Sequence, residues 1–455
     1  LLLEQFHSLL VSVTTVDSPP APNKFNVYIV SGRDDLARVS DVPNGVAGFY
    51  SATTYGIAAF VDAASEASAQ EVLFHEYAHH FMWQYAPTAY PSWYVEGFAE
   101  YYMPTQFQAN QASVGLASAL RGWSVLDGRW IPMERVLFET HRELSREERQ
   151  RFYTQAWMLV HFFNSDAELR AKLRRFLAAV RQGGEPRQSF ERETGFTMAT
   201  LTRALRSYFG DGNIPFRRYV VPPTPPPPVT ITTLPRSANG LLLYEAALRI
   251  GSSRDRLLEQ VRTAAARNGA DFYAQRVLAH AEVMLGDRAA GERLLDALLQ
   301  GAPNDAELLY LRGMRYLREA EQGEWEGNAG QAARWFARAH RVDANHYPTL
   351  YRYAQSLRGR ESYDSENTAN ILFLAYQLAP QVVEIRMNTA AMLIRRGDFD
   401  LAEAMLAPLA ADPHSESLAE AARQLLEQAR QARAAAPPAA ATPQPAAPTA
   451  TPPRQ

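Results

Sequence analysis

The sequence has no cysteine. Disulfides, thiolate zinc sites and thiol catalysis are thereby excluded, and a zinc site must be built from His, Asp and Glu. It also lacks an excess of either charge. The formal net charge is −3, without the polybasic signature of a chain that binds nucleic acid or an anionic membrane surface. No apolar run approaches the roughly 18–20 residues that a membrane-spanning helix needs, so no transmembrane segment is expected. The chain opens on Leu1 rather than Met, with nothing there that reads as a signal peptide. A trimmed or mature form of a longer precursor is the expectation. A cysteine-free chain fits the cytoplasm or a bacterial envelope, and the reading leans to the periplasm or secretion.

What is present is the composition of a globular protein, 47% hydrophobic and 21% charged over 455 residues. That length calls for two or three domains. Residues 1–218 mix strand and helix signals. "FNVYIV" (25–30) and "GIAAFV" (56–61) have strand composition, with turns at Asn44–Gly45 and Tyr55–Gly56. "SAQEVLFHEYAHHFMWQY" reads as a helix opened by a capping box of Ser68 and Glu71. "PSWYVEGFAEYYMPTQF" begins a second helix at Pro91, and "SREERQRFYTQAWMLVHFF" a third, capped by Ser145 and Glu148. In "VVPPTPPPPVTITTLP", seven prolines in sixteen residues preclude a helix and predict an extended linker, taken as 219–237. The Ala/Pro/Thr-rich end, 432–455, is expected to be disordered.

Residues 238–431 read as paired helices stepping by about 34 residues. Leu278 and Ala279 belong to one first helix, and Gly291, Leu295 and Leu298 to its partner. The following units carry Leu309, Gly313 and Tyr316 with Ala332, Phe336 and Ala339, then Leu350 and Ala354 with Leu372 and Ala375, then Ala390 and Leu393 with Ala402 and Leu406. Small residues fall where helices approach closely and large ones fill the gaps. This pattern resembles tetratricopeptide repeats, with about seven extra residues between the helices of the second unit.

The chemistry lies in "EVLFHEYAHHFMWQY" (71–85). His75 and His79, four apart, fall about 40° apart on one helix face, so both imidazoles can reach one metal ion. Glu76 stands between, able to reach a water on that ion as a general base. His80, about 140° from His75, should miss the metal. Chance alone produces H-E-x-x-H in about one percent of chains this long. A third ligand carries the argument further: Glu96, in "WYVEGFAEYY", lies one turn into the next helix, with Gly97 beside it to let the two helices approach. His161 reads as a core histidine, and His280, His340, His346 and His414 show no ligand spacing.

"HEYAH" followed by "WYVEGFAEYY" resembles the gluzincin metallopeptidases, the clan of thermolysin and the zinc aminopeptidases, over roughly residues 20–218. The gap after His79 is about two residues shorter than in the aminopeptidases. The resemblance implies an α+β zincin-like metallopeptidase domain, followed by an all-α tetratricopeptide-repeat solenoid. It implies one Zn2+ bound by His75, His79 and Glu96, with Glu76 moving the proton from the attacking water to the leaving amine. Glu100 would hydrogen-bond a ligand histidine. Tyr153, with Ala156 where the aminopeptidases have glycine, would stabilise the oxyanion, with Tyr101 and Tyr102 as alternatives. "G-x-M-E-N", which holds a substrate amino terminus in the aminopeptidases, is missing, and "GIAAFV" stands where the clan has its substrate-pairing edge strand. An endopeptidase is therefore favoured over an aminopeptidase. The expected partners are a peptide or protein substrate and a protein bound by the repeats. The alternative is a catalytically inactive peptidase-like protein acting as a repeat-based binding scaffold.

Overall fold

The computed structural model describes residues 2–435 apart from 20, 44–45, 66–68, 119–128, 140–143, 211, 213, 222–227, 253–254, 324, 360 and 413–414. The expected Asn44–Gly45 turn, the Ser68 cap, much of the proline run, His414 and the tail from 436 onward lie outside the described residues.

The N-terminal part begins with α1 (Leu2–Thr14), β1 (Asn26–Val30), α2 (Arg33–Val39), β2 (Gly48–Ala52), β3 (Ile57–Asp62), α3 (Ala69–Tyr85) and α4 (Ser92–Tyr102). It continues through β4 (Gln106–Gln108), β5 (Gln111–Val114), α5 (Met133–Phe138), α6 (Arg146–Asn164), α7 (Ala167–Arg181), α8 (Pro186–Thr194), α9 (Met198–Phe209) and β6 (Arg217–Val220). The start of α6 is set locally. Ser145 accepts from the Glu148 N–H while the Glu148 carboxylate accepts from the Ser145 N–H, which satisfies two of the orphan donors of the first turn.

Two small sheets form. β3 is the centre of the first, parallel to β1 and antiparallel to β2. All six of its residues are buried, as a near-continuous apolar strand covered on both faces must be. "GIAAFV" is therefore not the edge strand. The two edges are β1 and β2. β4, β5 and β6 make a second, antiparallel sheet that brings residues 217–220 back beside 111–114.

The remainder is helical and paired: α10 (Ala238–Arg249) with α11 (Leu257–Ala266), α12 (Phe272–Leu285) with α13 (Arg288–Gly301), α14 (Ala306–Ala320) with α15 (Trp325–Val342), α16 (Tyr347–Ser356) with α17 (Glu366–Leu378), and α18 (Val383–Arg396) with α19 (Phe399–Ala410), closed by α20 (Glu416–Ala435). This is a mostly helical repeat protein with small N-terminal sheets. A Cβ on Gly313 would meet the Phe336 ring, and one on Gly291 would meet Val283, so the small residues do mark close helix approaches. The extra residues of the second unit mainly lengthen its second helix, 18 residues in α15 against 14 in α13, rather than forming a loop.

The first helices of successive pairs are covered by the N-terminal sheet. Val30, Ala58 and Phe60 share a core with Ala246 and Val277, and Ile57 shares one with Leu350 and Ile385. The β2–β3 turn is the polar part of this contact. The Tyr347 hydroxyl donates to the Thr53 carbonyl (2.8 Å), and Arg352 donates to the Thr54 hydroxyl (2.8 Å) while its guanidinium lies over the Tyr55 ring. Gly56 sits on the Arg249 carbonyl with no room for a Cβ. On α18, Arg386 is 1% exposed. Its guanidinium lies over the Trp83 and Tyr376 rings, without a hydrogen-bond partner among the described residues.

Gly56→Ala is expected to lower stability by about 1–3 kcal/mol, because the new methyl group has only backbone to displace. Arg386→Met should raise stability by about 1–3 kcal/mol, since it removes a buried cation that lacks a charged partner. Thermal and urea unfolding of the two variants checks both signs.

Candidate metal centre

α3 and α4 pack on one another and bring three side chains to a point. His75 Nε2 and His79 Nε2 lie 3.1 Å apart, and Glu96 Oε2 lies 3.8 Å from the first and 3.6 Å from the second. Four ligands placed tetrahedrally at zinc–nitrogen and zinc–oxygen bond lengths of about 2.0–2.1 Å are about 3.3 Å from each other. The three donor atoms thus stand at the spacing one zinc ion requires, and they form a cluster of metal-binding type within 4.8 Å. The donor set, two imidazoles and one carboxylate, is also that of a catalytic zinc site with an open fourth position. His75 keeps 17% of its side chain exposed while Glu96 keeps 2%, so the open side is at His75.

Burial strengthens the fit. Glu96 and Glu100 are each 1% exposed. A carboxylate at that depth is costly to ionise without a nearby positive charge, and a divalent cation held by the three donors would supply one. Glu100 Oε1 lies 3.7 Å from His75 Nδ1, the ring nitrogen turned away from the cluster. A carboxylate there favours the tautomer with the proton on Nδ1, which leaves Nε2 free to bind metal. The resemblance implied a hydrogen bond between Glu100 and a ligand histidine, and the two groups stand 3.7 Å apart.

Glu76 points to β2. Burial pushes its pKa up to about 8, partly opposed by the nearby Tyr50 backbone N–H. A cation at the cluster would bring it back down. The reason the Tyr50 N–H is available lies in the strand register. Asp62 N–H donates to the Ala47 carbonyl and Thr53 N–H to the Gly56 carbonyl. The backbone groups of 47, 49, 51 and 53 therefore face β3, and those of Gly48, Tyr50 and Ala52 face away from it. The edge strand on this side is "GFYSA", a segment that was not read as a strand from the sequence.

Tyr153 is half-buried in the first half of α6, one turn before Ala156. The Ala156 carbonyl fills the space where Gly97 would carry a Cβ. Gly97 thus permits a close helix approach, but to α6 rather than to the histidine helix α3. Tyr101 and Tyr102 are buried in the core, Tyr101 against the His161 ring and Tyr102 against Phe98.

His80 and His161 are held by core neighbours away from the cluster. His80 is buried against Phe25, with Nδ1 3.1 Å from the Tyr50 hydroxyl, and desolvation pushes its pKa down to about 3. His161 Nε2 meets the Gly115 and Pro215 carbonyls, with Nδ1 beside the Tyr208 hydroxyl. Burial brings its pKa down to about 4. Both imidazoles are neutral at pH 7.

One wall of the site was invisible in the sequence. A small cavity bordered by His79, Trp83 and Val95 is closed on its far side by Pro408, Ala411 and Asp412, at the end of α19.

No known protein family matches the chain, and no curated protein does. Among solved structures it is similar to TTC0263, a thermophilic TPR protein of Thermus thermophilus, at 21% identity over 42% of this chain and 99% of that one, with a TM-score of 0.36. It is also similar to yeast Tom70, at 12% identity over 79% of this chain and 69% of that one, with a TM-score of 0.33. Likenesses at this level transfer no residue roles.

Equilibrium dialysis followed by elemental analysis should give about one zinc per chain for the wild type and for Glu76→Gln, with His79→Ala close to empty. Glu100→Ala should bind zinc about 10–100-fold more weakly through loss of ring orientation alone. Gly97→Ala, which touches no ligand, should also weaken zinc binding because it pushes α4 off α6.

Proposed function

We propose that the chain is a zinc-dependent peptidase, its N-terminal part carrying the site and its helical repeats forming part of the same body. The observation that carries this reading is the His75–His79–Glu96 cluster with Glu76 beside it on α3. A zinc ion held by these three side chains would supply a Lewis acid for a carbonyl oxygen and acidify a water. Glu76, between the cluster and β2, is placed to take a proton from that water and return it to the leaving amine. The outward-facing backbone groups of Gly48 and Ala52, with the Tyr50 carbonyl, can pair with an extended peptide, which holds substrate by its main chain rather than by its amino terminus. This favours an endopeptidase. Tyr153 is the candidate donor to the developing oxyanion.

The second reading is a repeat-based binding scaffold with a metal site that does not turn over. It draws support from the five helix pairs among the described residues. A partner protein would have to use surfaces other than the one lined by the first helices, because the chain's own sheet covers that surface.

Digestion of a broad peptide library by zinc-loaded protein separates the two. The peptidase reading expects cleavage by the wild type, none by Glu76→Gln despite full zinc, and about 10²–10³-fold lower kcat for Tyr153→Phe with KM little changed. Zinc-loaded wild type that cleaves no peptide would overturn the peptidase reading in favour of the scaffold.

A further inference from the structure

On α4, Tyr94 and Phe98 stand two residues either side of Glu96, so they project from the opposite side of the helix. There they border a cavity of about 390 Å3 that no part of the proposed chemistry uses. That is the size of a small-molecule site. One wall is a ladder of rings, Tyr90, Tyr94, Phe98 and Tyr102, with successive centroids 5.1, 6.0 and 4.7 Å apart. The facing wall is α7, which contributes Leu173 and Leu177 together with Arg170, Arg174 and Arg181.

Two features of this cavity point to a ligand. It has three arginines and no Asp or Glu in its lining. Among the described residues Arg170 donates to the Asn164 carbonyl, and none of the three forms an ion pair with a carboxylate. Separately, Tyr102 lines the cavity, and its hydroxyl bonds to no other described residue, so it is free to meet a ligand there. Two apolar walls, a free hydroxyl and a one-sign rim call for an apolar body with an anionic end.

We propose that this cavity binds an amphiphilic monocarboxylate, with an aliphatic body laid along the tyrosine ladder and its carboxylate at the arginines. A guanidinium pairs with a carboxylate in two parallel hydrogen bonds. The site is separate from the zinc ligands. It meets the small cavity behind His79 only through shared residues, including Met82 and Tyr90.

The test is calorimetric titration of the full chain with decanoate, decanol and decyltrimethylammonium, each below its micelle concentration. Decanoate should bind saturably at one site, at least tenfold more tightly than decanol, with no binding of the cation. Arg174→Gln/Arg181→Gln, both exposed positions, should weaken decanoate at least tenfold and leave decanol and the melting temperature unchanged. Leu177→Trp should abolish both by filling the space, and Tyr102→Phe should weaken decanoate severalfold. Zinc-stripped protein and His79→Ala should bind decanoate like the wild type. Equal binding of decanoate and decanol, indifference to the double arginine substitution, or loss of binding on removing zinc would each overturn the proposal. So would a short peptide that competes at equal concentration. The outcome is independent of whether the metal centre cleaves peptides.

Discussion

The burial of Glu96 between two imidazoles sets the terms for the N-terminal part. A carboxylate 1% exposed is costly unless a positive charge lies beside it, and its position relative to His75 and His79 must hold to within tenths of an ångström to make one site of three donors. Three helices share that task. α3 supplies the pair of histidines by simple periodicity. α4 is held at fixed depth by the contact of Gly97 with the Ala156 carbonyl. α6, whose start is fixed by the Ser145–Glu148 box, provides that carbonyl from the middle of a buried run. Trp93, stacked near Phe176 at the start of α4, anchors the other end of the same helix.

Repeat helices and sheet form one body rather than two that touch at a linker. A three-stranded sheet with an apolar centre strand needs both faces covered, and α3 covers only one. The first helices of the pairs provide the other cover, with Ala246, Val277, Leu350 and Ile385 against the sheet. The polar groups at this junction are paired across it, notably Arg352 with Thr54 and Tyr347 with Thr53. An array of helix hairpins ordinarily offers its inner helices to a partner. Here that surface is spent on the chain's own sheet, which makes the array a structural half of the protein before it can be anything else.

How much of this was legible follows from the range of each interaction. The 40° between His75 and His79 is a property of one helix turn, and so is the capping of α6, so both could be read directly. The approach of Glu96 to the histidines was legible because it sits in a short second helix that packs on the first. Gly97 was half legible: its lack of a side chain marks a close approach, but nothing local says that the neighbour is α6 rather than α3. The order of the strands was not legible at all. "GFYSA", short and only half apolar, was not read as a strand, and "GIAAFV" becomes the centre strand because β1 and β2 pair on either side of it. The extra residues of the second repeat were counted correctly but misplaced, because a longer helix and a longer loop have the same length in sequence.

The two halves also meet at Trp83, beside the histidine pair. Trp83 is one turn beyond His79 and on nearly the same face of α3. Its ring carries the Arg386 guanidinium of α18, and it borders the cavity that Pro408 and Asp412 close from the repeat side. A group entering beside His79 would therefore touch walls more than 300 residues apart in the chain. Arg386 is an expensive choice for that contact, since a buried cation without a charged partner gains less from two aromatic faces than it loses with its hydration. Stability alone would place an aliphatic residue there. The contacts of Arg386 with Trp83 and Tyr376 tie the position of α18 to the turn of α3 that follows His79.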